Sequence, residues 1–180
     1  GMGAIVTIID QDVRRLEYLE HVFKGRVLTL MSNIDNIEES VVKADLLIGS
    51  VLVPGAKAPK LVTKKTISQM NPGSVIVDIA VDQGGCVETC KPTSHENPVY
   101  IVDHVIHYCV TNMPGAVART STYGLTNATL KYMLQIADKG AEKAAKENPA
   151  IFKGFNTYQG QVVHESVAQA HGMKYANLGL

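Results

Sequence analysis

Residues 75–85 read VIVDIAVDQGG: apolar through Val81 except for Asp78, then an abrupt run of Asp82, Gln83, Gly84 and Gly85. A β-branched run ending at a turn signal predicts a strand buried on both faces, with the Asp82 carboxylate at its end. Working outward, the same kind of run recurs in AIVTIID (4–10), around residues 27–31 of GRVLTLMSN, in DLLIGSVLVPG (45–55), in PVYIVD (98–103) and in VIHYCVTN (105–112). Between them, VRRLEYLEHVF (13–23), NIEESVVKA (36–44) and residues 63–70 carry apolar residues at helical spacing. Continuous apolar strands alternating with amphipathic helices predict a parallel sheet covered on both faces. The third strand is expected to end in a Pro54–Gly55 turn.

Beyond Pro114 the pattern changes. Residues 120–154 and HESVAQAHG (164–172) read as helix, with no strand expected. Leu130, Met133, Leu134 and Ala137 fall on one helical face, which reads as a packing surface. The prediction is an α/β layer over residues 1–118 and a helical segment over 119–180, the boundary falling near 114–120. The fold class is α/β, a partial parallel sheet with a helical C-terminal extension.

Composition excludes several classes of partner. Seventeen basic residues balance seventeen acidic ones among 180, so no general field draws in nucleic acid or an anionic membrane. No apolar run approaches the roughly 20 residues that span a bilayer, and no leader opens the chain. Three cysteines, Cys86, Cys90 and Cys109, cannot all pair within one chain, which suits a reducing, cytoplasmic compartment. With His95 and His107 they offer zinc-ligand types, but paired CxxC spacing is missing and no metal is expected.

Open parallel sheets bind ligands outside the carboxyl ends of their strands. Asp10, Ser32, Ser50, Asp82 with its two glycines, and Asn112 with Met113 all follow apolar runs there. An acid at a strand end suits the two hydroxyls of an adenosine ribose and repels a 2′-phosphate, which favours NAD over NADP. The plainer alternative is that Asp10 caps the next helix. The G-x-G-x-x-G turn that would cradle the pyrophosphate does not occur in these residues, and GMGAIV reads as the end of the helix that follows such a turn. That reading puts the first, central strand upstream of residue 1. The strands at 4–10 and 45–49 would then face a gap, to be closed by direct pairing or by a segment borrowed from a second copy. A homo-oligomer with the helical tail in its interface is expected.

IGSVLVPGAKAPKLV (48–62), VIVDIAVDQGGCVET (75–89) and NMPGAVARTSTYGLTNATL (112–130) resemble the bacterial alanine dehydrogenases, and the likeness extends over essentially the whole chain. The resemblance implies a Rossmann-like NAD-binding domain lacking its first strand, followed by helices that pack on a substrate domain not included in these residues. The implied reaction converts L-alanine, NAD and water to pyruvate, ammonia and NADH. It places Asp10 on the adenosine ribose, with Arg15 and Ser32 beside it, and Val51 and Leu52 along the cofactor groove. Ile79, Ala80, Val81 and Asp82 would lead toward the nicotinamide, with Lys91 nearby and Val110, Thr111, Asn112 and Met113 completing the wall. Asp82 would be the acid–base residue, its turn relieved by Gly84 and Gly85, whereas Asp78 inside the strand would make a structural hydrogen bond. None of His21, His95, His104, His107, His164 and His171 sits in the family's catalytic-histidine motif. The isolated chain is therefore expected to be inactive toward L-alanine or pyruvate without a substrate domain. The alternative is a nonenzymatic α/β module without useful NAD affinity.

Overall fold

The computed structural model describes residues 1–53 and 56–179; the expected turn at Pro54 and Gly55 lies outside the described residues. Two compact units emerge, the first from Gly1–Val51 with Pro59–Thr111 and the second from Leu52–Ala58 with Asn112–Leu180.

The first unit opens with β1 (Val6–Asp10), α1 (Val13–Phe23) and β2 (Val27–Met31). Asp12 caps α1 by accepting the amides of Arg14 and Arg15, and Lys24 ends it in the left-handed conformation. The crossover lays β2 parallel to β1, with Val6 opposite Val27 and Asp10 opposite Met31. There follow α2 (Ile34–Lys43), capped by Asn33, then β3 (Leu46–Gly49), α3 (Lys64–Ile67), capped by Thr63, β4 (Val75–Asp78), β5 (Val99–Val102) and β6 (Val105–Tyr108). The second sheet runs in the order β3-β4-β6-β5. Its core includes Ile67, Ile76, Val87, Val105 and Val110, all without solvent exposure. Each such side chain contributes about 1.5–3 kcal/mol relative to an exposed one.

Two expectations for this unit need correction. PVYIVD is not a further parallel strand: β5 pairs antiparallel with β6. Asp103 and His104 join them with φ of 50° and 64°, the two positive values of a type I′ hairpin turn. The strand of the opening stretch is also shorter than its apolar run, ending at Asp78, after which residues Ile79–Gln83 form a 3₁₀ turn. The acid at the end of the buried strand is thus Asp78, and Asp82 stands exposed on the turn beyond it. Of the two closures considered for the gap between β1 and β3, direct pairing does not occur among the described strands. The described strands form separate ladders, β1-β2 and β3-β4-β6-β5, and the edge strands β1 and β3 carry Val6, Leu46 and Ile48 at 41%, 56% and 55% exposure.

The second unit contains a 3₁₀ turn at Met113–Val117 and the helices α4 (Ala118–Lys139), α5 (Ala141–Glu147), α6 (Pro149–Lys153) and α7 (Glu165–His171). The long helical run is broken at Gly140, with φ of 77°, and at Asn148, which caps α6 where Pro149 starts it. The expectation of no strand here is also corrected. Residues β7 (Thr157–Tyr158) and β8 (Gln161–Val162) form a small antiparallel hairpin, with φ positive at both Gln159 and Gly160. Ala144, Ala145 and Ile151 form a small core with Tyr132 and Phe155. Along α4, Leu130, Met133 and Leu134 are all more than half exposed. Among the described residues no helix is long and apolar enough to cross a membrane.

Candidate functional site

At the carboxyl end of the β1–β2 ladder, the Ser32 amide donates to the Asp10 carbonyl at 2.9 Å, so the backbone brings these two predicted residues together. Asp10 Oδ1 accepts the Asp12 amide at 2.8 Å. That bond holds the turn into α1, while capping falls to Asp12, whose Oδ1 accepts from Arg14 at 3.0 Å and Arg15 at 3.3 Å. The Arg15 guanidinium sits 5.2 Å from the centre of the Tyr18 ring, a cation–π arrangement on the exposed first turn of α1. Val51, half-buried, follows β3.

The end of β4 is organised by a carboxylate that solvent does not reach. Asp78 is fully buried; its Oδ1 accepts the Ala80 amide at 3.0 Å and its Oδ2 the Val87 amide at 3.1 Å. The Cys86 thiol donates to Oδ1 from 3.7 Å. Burial first, then the charge of Asp78, pushes that thiol up to about 12. As expected, Asp78 is structural: it bends the chain out of β4 and pins the far side of the following loop. Gly49, opposite Asp78 in the ladder, leaves room for this network, since a Cβ there would lie 2.6 Å from Cys86 Sγ. On the turn itself Ala80 and Val81 are buried while Ile79 and Asp82 face outward. Gln83 Oε1 is buried without a hydrogen-bond partner among the described residues. The turn closes on Gly84 and Gly85, with φ of 90° and 73°, the left-handed values that suit glycine.

Beyond the turn, residues 89–93 run beside the end of β6. Thr93 accepts the Thr111 amide and donates its own to the Cys109 carbonyl, and a parallel bridge joins it to buried Val110. Lys91 lies exposed with its Nζ 4.8 Å from the Tyr100 ring centre. The Tyr100 hydroxyl accepts the Lys91 amide at 2.8 Å, donates to the Thr89 carbonyl at 3.0 Å and lies 3.6 Å from Cys109 Sγ. The mutual influence of the neighbouring Cys90 and Cys109 thiols holds Cys90 above its ordinary range and draws Cys109 below it.

His107 is fully buried and stacked on Tyr100, with ring centres 5.1 Å apart. Its Nδ1 is 3.0 Å from the Val105 carbonyl and its Nε2 2.7 Å from Thr89 Oγ1. A carbonyl only accepts, so Nδ1 carries the proton and Nε2 accepts from the threonine. Burial lowers the pKa of His107 from its ordinary 6.5. Above that value the ring is neutral folded or unfolded; below it the unfolded chain takes up the proton first. Stability is therefore expected to fall as pH drops below 6.5, by up to about 1.4 kcal/mol per unit. Urea titrations between about pH 7.5 and 5.5 should show a smaller loss for His107→Gln than for the unmodified chain; equal losses would remove His107 from the acid response.

In the second unit, Leu52 is exposed and Met113 half-buried at the start of its 3₁₀ turn. Asn112 precedes that turn with φ of 53°, and its carbonyl accepts the Gly115 amide at 2.8 Å. Among the described residues no three His, Cys, Asp or Glu side chains are arranged to hold a metal ion. The buried networks of Asp78 and of Tyr100 were not anticipated in full. Their signals were slight: a glycine at the end of LLIG and a tyrosine inside an apolar run.

Residues 1–165 match the family described as alanine dehydrogenase/PNT, C-terminal domain. An alanine dehydrogenase of Methanococcus maripaludis is 60% identical over 176 residues, which are 97% of this chain and 47% of that protein. One of Halomonas elongata is 53% identical over 175 residues, again 97% of this chain and 47% of the relative. Among solved structures, an L-alanine dehydrogenase superposes with a TM-score of 0.81 at 52% identity, covering 94% of this chain and 47% of that one. A transhydrogenase from Sinorhizobium meliloti gives 0.68 at 25% identity, covering 91% and 43%. The chain spans about half the length of the curated relatives it matches.

Proposed function

The chain belongs to the alanine dehydrogenase/PNT C-terminal domain family, and from that premise we propose that it supplies the NAD(H)-binding half of a cytoplasmic alanine dehydrogenase. The observation that carries the reading is the division of labour between two acids: Asp12 caps α1, so capping does not account for Asp10 at the strand end. Asp10 beside Ser32 fits an adenosine ribose, whose hydroxyls a carboxylate accepts. Gln83 Oε1 is a buried acceptor without a donor among the described residues, on the same turn as Asp82, and the carboxamide of a nicotinamide carries an N–H of the type it could accept. The residues present therefore fit the group.

NAD would supply the hydride acceptor for the Cα–H of L-alanine. This chain's residues would hold and orient it: Asp10, Ser32 and Arg15 at the adenosine end, Val51 and Leu52 along the groove, and Ile79, Ala80, Val81, Lys91, Val110, Thr111, Asn112 and Met113 toward the nicotinamide. Exposed on its turn, the Asp82 carboxylate would exchange protons as water adds to the imine and ammonia leaves. Substrate contacts would come from a substrate domain, so the isolated chain is expected not to oxidise L-alanine.

The test is a fusion of this chain to the N-terminal half of the Methanococcus maripaludis relative. It should oxidise L-alanine with NAD, and Asp10→Ala should weaken NAD and relax discrimination against NADP. Unchanged affinity and selectivity would leave Asp10 with its turn alone, and no NAD-dependent activity in the unmodified fusion would favour a nonenzymatic module. For assembly, the exposed Leu130, Met133 and Leu134 on α4 support a homo-oligomer that covers them. Light scattering of the isolated chain should give at least twice the 19.4 kDa of one copy. A monomer at all micromolar concentrations would assign that face elsewhere.

A further inference from the structure

We propose that Cys90 and Cys109 form a reversible dithiol–disulfide pair, a two-electron oxidation site for a small hydroperoxide. The placement rests on the Tyr100 hydroxyl, which accepts the amide after Cys90, donates to the carbonyl before it, and lies 3.6 Å from Cys109 Sγ. Two further ties hold the same segment against β6: Thr89 Oγ1 to His107 Nε2 at 2.7 Å, and the Thr93 amide to the Cys109 carbonyl at 2.9 Å. Cys90 thus cannot leave the neighbourhood of Cys109 without breaking bonds on both sides. The third cysteine, Cys86, is buried and donates its thiol to Asp78 Oδ1 from 3.7 Å.

Exposure assigns the order of events, because Cys90 is only partly buried whereas Cys109 has no exposure. With one proton lost from the pair, negative charge rests on Cys109, whose thiol is drawn below its ordinary range beside Cys90. Passing the Cys90 proton to Cys109 makes Cys90 the thiolate. Its sulfur attacks one peroxide oxygen and the O–O bond breaks, leaving a sulfenic acid on Cys90 and a hydroxide that takes a proton from solvent. The Cys109 sulfur then attacks the Cys90 sulfur, the S–O bond breaks, and the Cys109 proton leaves with the hydroxyl as water. Two thiols lose two electrons, the peroxide becomes two waters, and a small thiol reductant reverses the bond by exchange.

The experiment treats the full chain with stoichiometric hydrogen peroxide and maps its peptides by mass spectrometry without reduction. The expected product is a monomeric chain about 2 Da lighter, its Cys90 and Cys109 peptides joined, its Cys86 still alkylatable, and its mass restored by dithiothreitol. In Cys109→Ser the crosslink should vanish and Cys90 should proceed to sulfinic acid. A crosslink containing Cys86, bonds only between copies, sulfinic acid at Cys90 in the unmodified chain, or three intact thiols under excess peroxide would each overturn the proposal. The unmodified chain decides the matter even if the variant does not fold.

Discussion

Asparagine at position 82 is expected to lower alanine turnover by about 100-fold or more in the fusion enzyme while leaving NADH affinity and thermal stability nearly unchanged. The amide keeps the shape of the side chain but cannot take up or release the protons that imine hydration and ammonia loss require, and positioned acid–base groups contribute roughly 10²–10⁴-fold. Stability should hold because Asp82 is exposed on its turn, and substitutions at such sites usually stay within about 0.5 kcal/mol. Steady-state kinetics, with NADH titration by fluorescence, separates the two effects. Undiminished turnover would take Asp82 out of the mechanism, and lost NADH binding would make it a binding residue instead.

The second large effect concerns folding. Gly85→Ala should cost on the order of 3–5 kcal/mol, as two penalties fall together. A side chain at φ of 73° is strained, and its Cβ would lie 2.6 Å from Asp78 Oδ2. The carboxylate cannot retreat without giving up the Val87 or Ala80 amide it holds in the buried core. Gly84→Ala is the control: φ is 90° there too, but nothing lies within 4 Å of the added carbon, so only the backbone strain of about 1–3 kcal/mol applies. Urea denaturation of the two variants should therefore give clearly different midpoints. Equal losses would mean that the Asp78 network gives way freely.

Much of the first unit was readable because its signals agree: β-branched runs alternate with segments of helical spacing, and the strands and helices fall where those signals lie. The strand end at Asp78 was not. Residues 79–81 continue the apolar run, and only the capture of the Ala80 and Val87 amides by Asp78 turns the chain. Both hairpins were missed for a related reason. The turn at Asp103 and His104 adopts two positive φ values without the glycine that announces such a turn, and β7 and β8 are two residues each, too short for alternation to register. Of the site, single residues at strand ends could be read from position. Contacts between segments distant in sequence, such as Tyr100 with residues 89–91, carry no periodic trace and appear only on folding.

The separation of the β1–β2 ladder from the β3-β4-β6-β5 ladder divides the first unit's resistance to opening into tiers. Leu16 and Val41 are the buried apolar side chains of α1 and α2, while the second ladder holds a set of fully enclosed ones. With no hydrogen bonds running between the ladders among the described residues, fluctuations that free β1 and β2 need not disturb the other strands. Amide exchange would then be fastest where Asp10 sits and slowest around β4 and β6, so local breathing, rather than global unfolding, would govern how long the adenosine end keeps its shape and how soon a protease finds its first cut.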